Sequence, residues 1–352
     1  MRNAASLREL GEFGLISRIA GLVPPGEGVV VGIGDDTAAV APVPGRLCLV
    51  TSDMLVEGVH FDLSYSDPLS LGKKSLSVNL SDMAAMGGEP RNFLLSLAVP
   101  PSVSLEFLDE CVRGMLQRAK EFGVTLIGGD TCAAPDRLVI SITLLGDQSP
   151  DLIVRRSGAR PGDRVCVTGV IGDAALGLEL LRKGIKDGAA VERHLDPTPR
   201  VREGRSLAEA GVPSSMIDIS DGLLADLGHI LEMSAVGARL HCAALPLSPH
   251  LRARFPAAGE EALSLALAGG EDYELLFTTP PIKLPIMFEV MEKAGTPVTV
   301  IGEITAEQGL VLTGPDGSTC SVPRSGYDHF SALEPRQRPA AGEEQAACRR
   351  RP

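Results

Sequence analysis

The chain has 352 residues, enough for two domains that each bury a core. Hydrophobic residues make up 44% and charged residues 22%, an ordinary globular balance. A net charge of −12, no Trp and only 3% aromatic residues argue against nucleic acid or an anionic membrane surface as partner.

In chain order, Leu7, Leu10, Phe13, Ile16 and Ile19 predict a first amphipathic helix over 6–22, broken by Pro24-Pro25-Gly26. Val29 to Val31 is a short strand running into Gly32-Ile33-Gly34-Asp35-Asp36, and Arg46 to Val50 is a strand ending in Thr51-Ser52-Asp53. Asp67-Pro68 opens a helix that Gly87-Gly88 closes, with Leu69, Leu76, Leu80, Met83 and Met86 expected to face a core. Asn92 to Val99 is a strand, and a helix capped by Ser104 runs to Gly123. Val124 to Ile127 is a strand leading into Gly128-Gly129-Asp130-Thr131, and Leu138 to Leu145 is another.

Gln148-Ser149-Pro150-Asp151 is polar and contains Pro, so a boundary is expected there, with an N-terminal domain over 1–148 and a C-terminal domain over 149–333. Strands are predicted at Arg164 to Val167, Met216-Ile217, Tyr273 to Phe277, Val298 to Ile301 and Leu310 to Leu312. Helices are predicted after Asp173, over Pro199 to Ala210, over Leu223 to Met233 and over Leu284 to Ala294. Helices and strands alternate in both halves, so the class is α/β (α+β), and the polar stretch 334–352 reads as a disordered tail. Seven cysteines with no Cys-x-x-Cys pair predict reduced thiols in a cytoplasmic protein, without a disulfide framework or a zinc site. No apolar leader or membrane-length span occurs, so neither export nor a membrane helix is expected.

Asp82 is the odd member of its helix. It stands among apolar residues near a C-terminus, where the dipole disfavours negative charge. It needs either a cation or strong donors; a carboxylate satisfied by backbone N–H groups is the alternative. The setting recurs: an apolar element, small residues, then an acid, at Asp35-Asp36, Asp53, Asp82, Asp130, and Asp218 with Asp221. Acids converging on one cleft raise each other's pKa values unless cations neutralise them. Oxygen donors without His or Cys suit Mg²⁺, which takes one or two carboxylates plus substrate phosphates. Gly32, Gly34, Gly128 and Gly129 leave room for such a ligand, although each acid could also be a turn residue. No Walker A motif, dinucleotide fingerprint or protein-kinase signature is present.

Seven segments then carry a resemblance. They are Gly32 to Asp36, Thr51-Ser52-Asp53 with Gly58-Val59-His60-Phe61, Asn79 to Gly87, Gly128 to Thr131, Arg156-Ser157-Gly158-Ala159, Asp218 to Leu223, and Gly269 to Leu275. In this order they resemble the motifs of the thiamine-monophosphate kinase family, within the aminoimidazole ribonucleotide synthetase-like superfamily. The resemblance extends to Tyr327-Asp328-His329-Phe330, nearly the whole chain.

The resemblance implies an N-terminal mixed-sheet domain that dimerises and a C-terminal α/β domain of the same superfamily type. It implies transfer of the ATP γ-phosphoryl group to thiamine monophosphate, giving thiamine diphosphate, with several Mg²⁺ ions and no covalent phosphoenzyme. Asp36, Thr51, Ser52, Asp53, Asp82, Asp130, Asp218 and Asp221 resemble the Mg²⁺ ligands. Gly129, Asp130, Arg156 and Ser220 resemble the ATP contacts, and His60, Glu271 and Tyr327 the thiamine-phosphate contacts. Asp35 reads as an acid orienting its neighbour. The turn Thr168 to Asp173 reads as structural, with phosphate contact as its alternative. Other readings are another ATP-using superfamily member or a non-catalytic maturation or assembly protein. Selenophosphate synthesis is disfavoured because no Cys lies before Cys48.

Overall fold

The computed structural model describes residues 7–255, 260–314 and 318–319. Tyr327 and the 334–352 tail lie outside the described residues. The first half contains α1 (Leu7–Ala20), β1 (Val29–Val31), β2 (Ala39–Val40), β3 (Leu47–Val56), α2 (Pro68–Ala85), β4 (Glu89–Val99), α3 (Leu105–Phe122), β5 (Thr125–Ala133) and β6 (Val139–Gln148). Four of its strands form a mixed sheet in the order β3-β6-β4-β5, with β4 and β5 parallel and the other pairs antiparallel.

The second half contains β7 (Arg164–Thr168), α4 (Asp173–Arg182), α5 (Ala189–Leu195), α6 (Val201–Glu209), β8 (Ser215–Asp218), α7 (Leu223–Ser234) and β9 (Gly237–His241). It continues through α8 (Pro249–Arg254), α9 (Glu260–Ala268), β10 (Leu275–Thr279), α10 (Leu284–Ala294), β11 (Val298–Thr305) and β12 (Gly309–Thr313). Its six-stranded sheet has the order β12-β9-β11-β7-β10-β8. The α/β class and the paired mixed-sheet halves are those expected. Among the described residues, no helix is long and apolar enough to cross a membrane.

α2 is the hub. Asp67 Oδ1 accepts from the Ser70 N–H at 2.9 Å, which caps its first turn. At the other end Gly87 takes φ +67, and Gly88 N–H returns to the Met83 carbonyl at 2.9 Å. Leu76, Leu80 and Met83 are buried as the spacing predicts, each contributing roughly 1.5–3 kcal/mol. The polar residues Lys74, Ser75, Ser77, Asn79 and Ser81 are buried as well. The reason is that α2 is covered on several sides, by the first sheet, α3, α6 and β8. Close packing on α3 depends on paired glycines. A Cβ on Gly72 would meet the Cys111 carbonyl oxygen at 1.8 Å, and one on Gly114 the Leu69 carbonyl oxygen at 2.0 Å.

The β7, β8 and β10 strands of the six-stranded sheet are buried on both faces, which alternate in the period of two that a strand imposes. Cys166, Met216, Leu275 and Phe277 join a core shared with α2 and the first sheet. Val165, Val167, Ile217 and Leu276 face α7 and α9. The two halves therefore share one apolar core across their boundary.

Three sequence expectations change. Phe13 is 80% exposed, because Gly11 at φ +69 breaks α1 and restarts its phase so that Leu15 and Ile19 face inward. Met86 is the cap residue of α2 and is exposed rather than in the core. Thr51 to Asp53 and Gly128 to Thr131 lie inside β3 and β5 rather than at strand ends. Gly129 is needed there because a Cβ would lie 1.7 Å from the Leu95 carbonyl oxygen of β4.

Candidate active site

The site forms where α2, β3 and β8 meet. Thr51 and Asp53 point to the same face of β3, toward α2. The Thr51 hydroxyl donates to Asp82 Oδ2, and the Asp53 N–H donates to Asn79 Oδ1 at 3.2 Å. From the second half, Asp218 ends β8 beside α2 and accepts from the Ser81 hydroxyl at 2.6 Å. Thr51, Asp53, Asp82 and Asp218 are thus brought together by three elements, with Asp82 central.

Their electrostatics follow from burial. The Asp53 carboxyl is pushed up to about 7, by burial first and by the Asp82 charge second. Asp218 is pushed up to about 8, by burial and then by Asp82, against the Ser81 donor. Asp82 is raised by burial, while the Thr51 donor and the Arg156 cation pull the other way. Asp82, Ala85, Met86, Arg155, Arg156, Ser157, Met216, Asp218 and Met233 line a cavity of about 310 Å³. It joins acids, two arginines and three methionine side chains in one cleft.

Ser220 and Asp221 follow β8 on a tight loop. Asp226, in the first turn of α7, accepts from the N–H groups of Ser220, Asp221 and Gly222 at 3.0, 3.1 and 3.1 Å. Burial, then the Asp221 charge, raises its carboxyl to about 7 in spite of these donors. Asp226 holds the loop's shape and was not singled out from sequence. The available signal was an acid one turn into a helix that opens at Gly222, able to reach back to free N–H groups. The loop 269–273 lies against this one: Glu271 N–H donates to the Ser220 carbonyl at 2.8 Å and Tyr273 N–H to the Ile219 carbonyl at 2.9 Å.

Other sequence-predicted residues stand differently. Ser52 lies on the opposite face of β3, its hydroxyl near the Ile142 carbonyl and Thr143 Oγ1 at 3.1 and 3.0 Å, so its side chain points away from Asp82. Asp36 is exposed, and its backbone N–H donates to Asp35 Oδ1 at 2.8 Å. Asp130 is also exposed, beside Gly129, and accepts from the Thr131 N–H at 2.9 Å. His60 Nδ1 accepts from the Val56 N–H at 3.0 Å within the turn after β3. The Glu271 carboxylate meets Lys74 Nζ and His194 Nδ1, each at 3.0 Å. The turn after β7 is occupied internally: Asp272 accepts from Gly172 and Ala174 N–H groups at 2.8 and 3.4 Å, which fits the structural reading of that turn.

Among the described residues, no three His, Cys, Asp or Glu side chains converge closely enough to cage a metal ion by themselves. Oxygen donors supplied in ones and twos suit a hard divalent cation that completes its shell with water and phosphate oxygens. Thr51, Asp53, Asp82 and Asp218 are near enough to one another to contribute such donors.

Comparison with known proteins agrees with this construction. Residues 34–147 match the model of the AIR synthase related protein, N-terminal domain, and residues 160–315 match that of the C-terminal domain. The thiamine-monophosphate kinase of Escherichia coli (strain K12) is 39% identical over 329 residues, covering 91% of this chain and 98% of the relative. The crystal structure of thiamine-monophosphate kinase from Stenotrophomonas maltophilia K279a superposes with a TM-score of 0.78 at 36% identity, covering 87% of this chain and 96% of the other. The AaThiL complex with AMPPCP and TMP gives a TM-score of 0.72 at 33% identity, covering 93% of this chain and 100% of the other. The two AIR-synthase-related domains and the overall fold are thus shared, and the chain belongs to the thiamine-monophosphate kinase family of phosphotransferases.

Proposed function

We propose that the protein phosphorylates thiamine monophosphate to thiamine diphosphate with ATP, by direct in-line transfer, with Mg²⁺ held by the acids at the domain seam. The observation that carries the reading is the meeting of Asp82, Thr51 and Asp218 at one edge of a cleft that also holds Arg155 and Arg156. Its support in relatives is the family itself and the AaThiL complex with AMPPCP and TMP.

The chain's own residues account for much of the chemistry. Arg155 and Arg156 line the cleft and suit the oxygens of a polyphosphate. The acceptor phosphate is already a nucleophilic anion, since its second pKa is near 6, so no general base is needed. What the reaction needs is alignment and charge neutralisation. Mg²⁺ held by these acids would supply positive charge that offsets the repulsion of the two phosphates. Thr51 and Ser81 orient the acids, Asp226 shapes the Ser220-Asp221 loop, and Asp36, Asp130 and Asp221 complete the ligand set in this reading. By the same reading Gly129, Asp130, Arg156 and Ser220 serve as ATP contacts, and His60, Glu271 and Tyr327 as acceptor contacts.

On the face of β3 turned away from α2, Val50 and Met54 are 63% and 58% exposed. A second copy of the chain covering that face gives the homodimer of this reading, which acts in the cytoplasm without nucleic acid or membrane. The deciding assay supplies ATP, Mg²⁺ and thiamine monophosphate and measures ADP and thiamine diphosphate, which should appear in equal amounts. ATP hydrolysis without the diphosphate, or turnover of an aminoimidazole precursor instead, would overturn it.

A further inference from the structure

We propose that Lys74 is a positioning residue for acceptor recognition: its ammonium, with His194 packed alongside, holds the Glu271 carboxylate in one orientation at the seam between the two domains. This rests on the reading of Glu271 as an acceptor contact.

The three residues come from α2, α5 and the loop 269–273, so no single element sets their geometry. Lys74 Nζ stands 3.0 Å from Glu271 Oε1; His194 Nδ1 stands 3.0 Å from Oε2 but without hydrogen-bond geometry. Both partners have side chains only 3% exposed, whereas the Glu271 side chain is 24% exposed. The clamp therefore grips the acid from the buried side and leaves part of it open. A lysine needed only to fill space would be a poor choice, because an apolar side chain fills a core without the cost of burying an ammonium group.

Glu271 is also held at a backbone cost. It takes φ +68, a left-handed conformation that residues with a Cβ adopt rarely. Its N–H on the Ser220 carbonyl fixes the loop against the 218–222 segment. A Cβ on the preceding Gly270 would lie 2.4 Å from that same carbonyl oxygen, so the approach requires glycine. Burial alone would raise the Glu271 carboxyl; the Lys74 charge, and then His194, bring it down to about 2. His194 itself is pushed below its usual value by burial first and by Lys74 second.

The neighbouring lysine anchors the helix that carries His194. Lys73 Nζ donates to Asp196 at the end of α5 at 3.0 Å, and Arg118 of α3 bonds the other oxygen of that carboxylate. Adjacent lysines on α2 thus fix α5 and the acid that α5 helps to hold.

The test measures KM for thiamine monophosphate and for ATP in wild type, Glu271→Gln, Lys74→Met, His194→Gln and the Lys74→Met/Glu271→Gln double variant. Lys74→Met should raise the acceptor KM about tenfold or more and leave the ATP KM within about twofold, the scale of one lost charged hydrogen bond. In the Glu271→Gln background the same change should add less than about twofold, because Lys74 acts through Glu271. An unchanged acceptor KM, an equal rise in both KM values, or additive effects would overturn the inference. If Lys74→Met cannot be recovered folded, His194→Gln supplies the same comparison against Glu271→Gln with the same criteria. If Glu271→Gln alone leaves the acceptor KM unchanged, the acceptor reading fails and the inference falls with it. If Glu271→Gln raises it and Lys74→Met does not, only the positioning role fails.

Discussion

The Ser81 hydroxyl on α2 donates to Oδ2 of Asp218 on β8 at 2.6 Å, tying the two halves together one residue away from Asp82. Asp218 is 3% exposed, so this donor is a large part of what its carboxylate has in place of water. Ser81→Ala should cost about 1–3 kcal/mol in stability and push Asp218 further toward its protonated form. Denaturant unfolding of the metal-free protein reads the cost. An unchanged midpoint would mean that Asp218 finds another donor.

Asp82→Asn keeps the volume and an acceptor for Thr51 while removing the central charge of the cluster. Turnover should fall at least about a hundredfold, because the charge that a cation would meet is gone. Stability should hold or rise as repulsion with Asp53 and Asp218 is relieved. Strong destabilisation with near-normal turnover would assign Asp82 a purely structural role.

Chelation should abolish turnover and leave the far-ultraviolet circular dichroism nearly unchanged. The acids sit at a seam whose two sides are already joined by a shared apolar core, so a metal is not required to hold the fold. Loss of ellipticity on chelation would show the opposite.

The chelated protein should lose stability as pH rises. An unfolded Asp titrates near about 3.9. In the fold, burial and then Asp82 raise Asp53 to about 7 and Asp218 to about 8. Between the unfolded and folded values the native state keeps protons that the unfolded state releases, so these groups favour folding most at low pH. That contribution is lost as pH rises through the folded values. The Tm without metal should therefore fall between roughly pH 5 and pH 8, and added Mg²⁺ should reduce the slope. A Tm that climbs through this window would contradict the assignment.

Gly204→Ala should separate the halves slightly. A Cβ there would lie 2.1 Å from the Ala84 carbonyl oxygen of α2, a backbone atom that cannot rotate away. The expected cost is about 1–3 kcal/mol, with reduced turnover because α2 carries Asp82. Thermal unfolding and the coupled ADP assay check both parts.

The chain's local chemistry was legible before any fold was known. Asp67-Pro68, Ser104 and Gly123 mark helix ends because their capping bonds span only a few residues. Asp82 stood out because a carboxylate in an apolar helix turn demands a partner wherever the helix lies. Long motifs in a fixed order pointed to the family, and the family models and relatives bear that out. Tertiary structure decided what distant segments do to one another. Ser52 and Thr51 are adjacent in sequence, yet strand pleat and the position of α2 send them to opposite faces. Lys74 reads in sequence as an ordinary helix lysine, and His194 and Asp226 carry no motif of their own. Their roles arise because packing sets α2, α5, α7 and two C-terminal loops side by side, across separations that no local periodicity encodes.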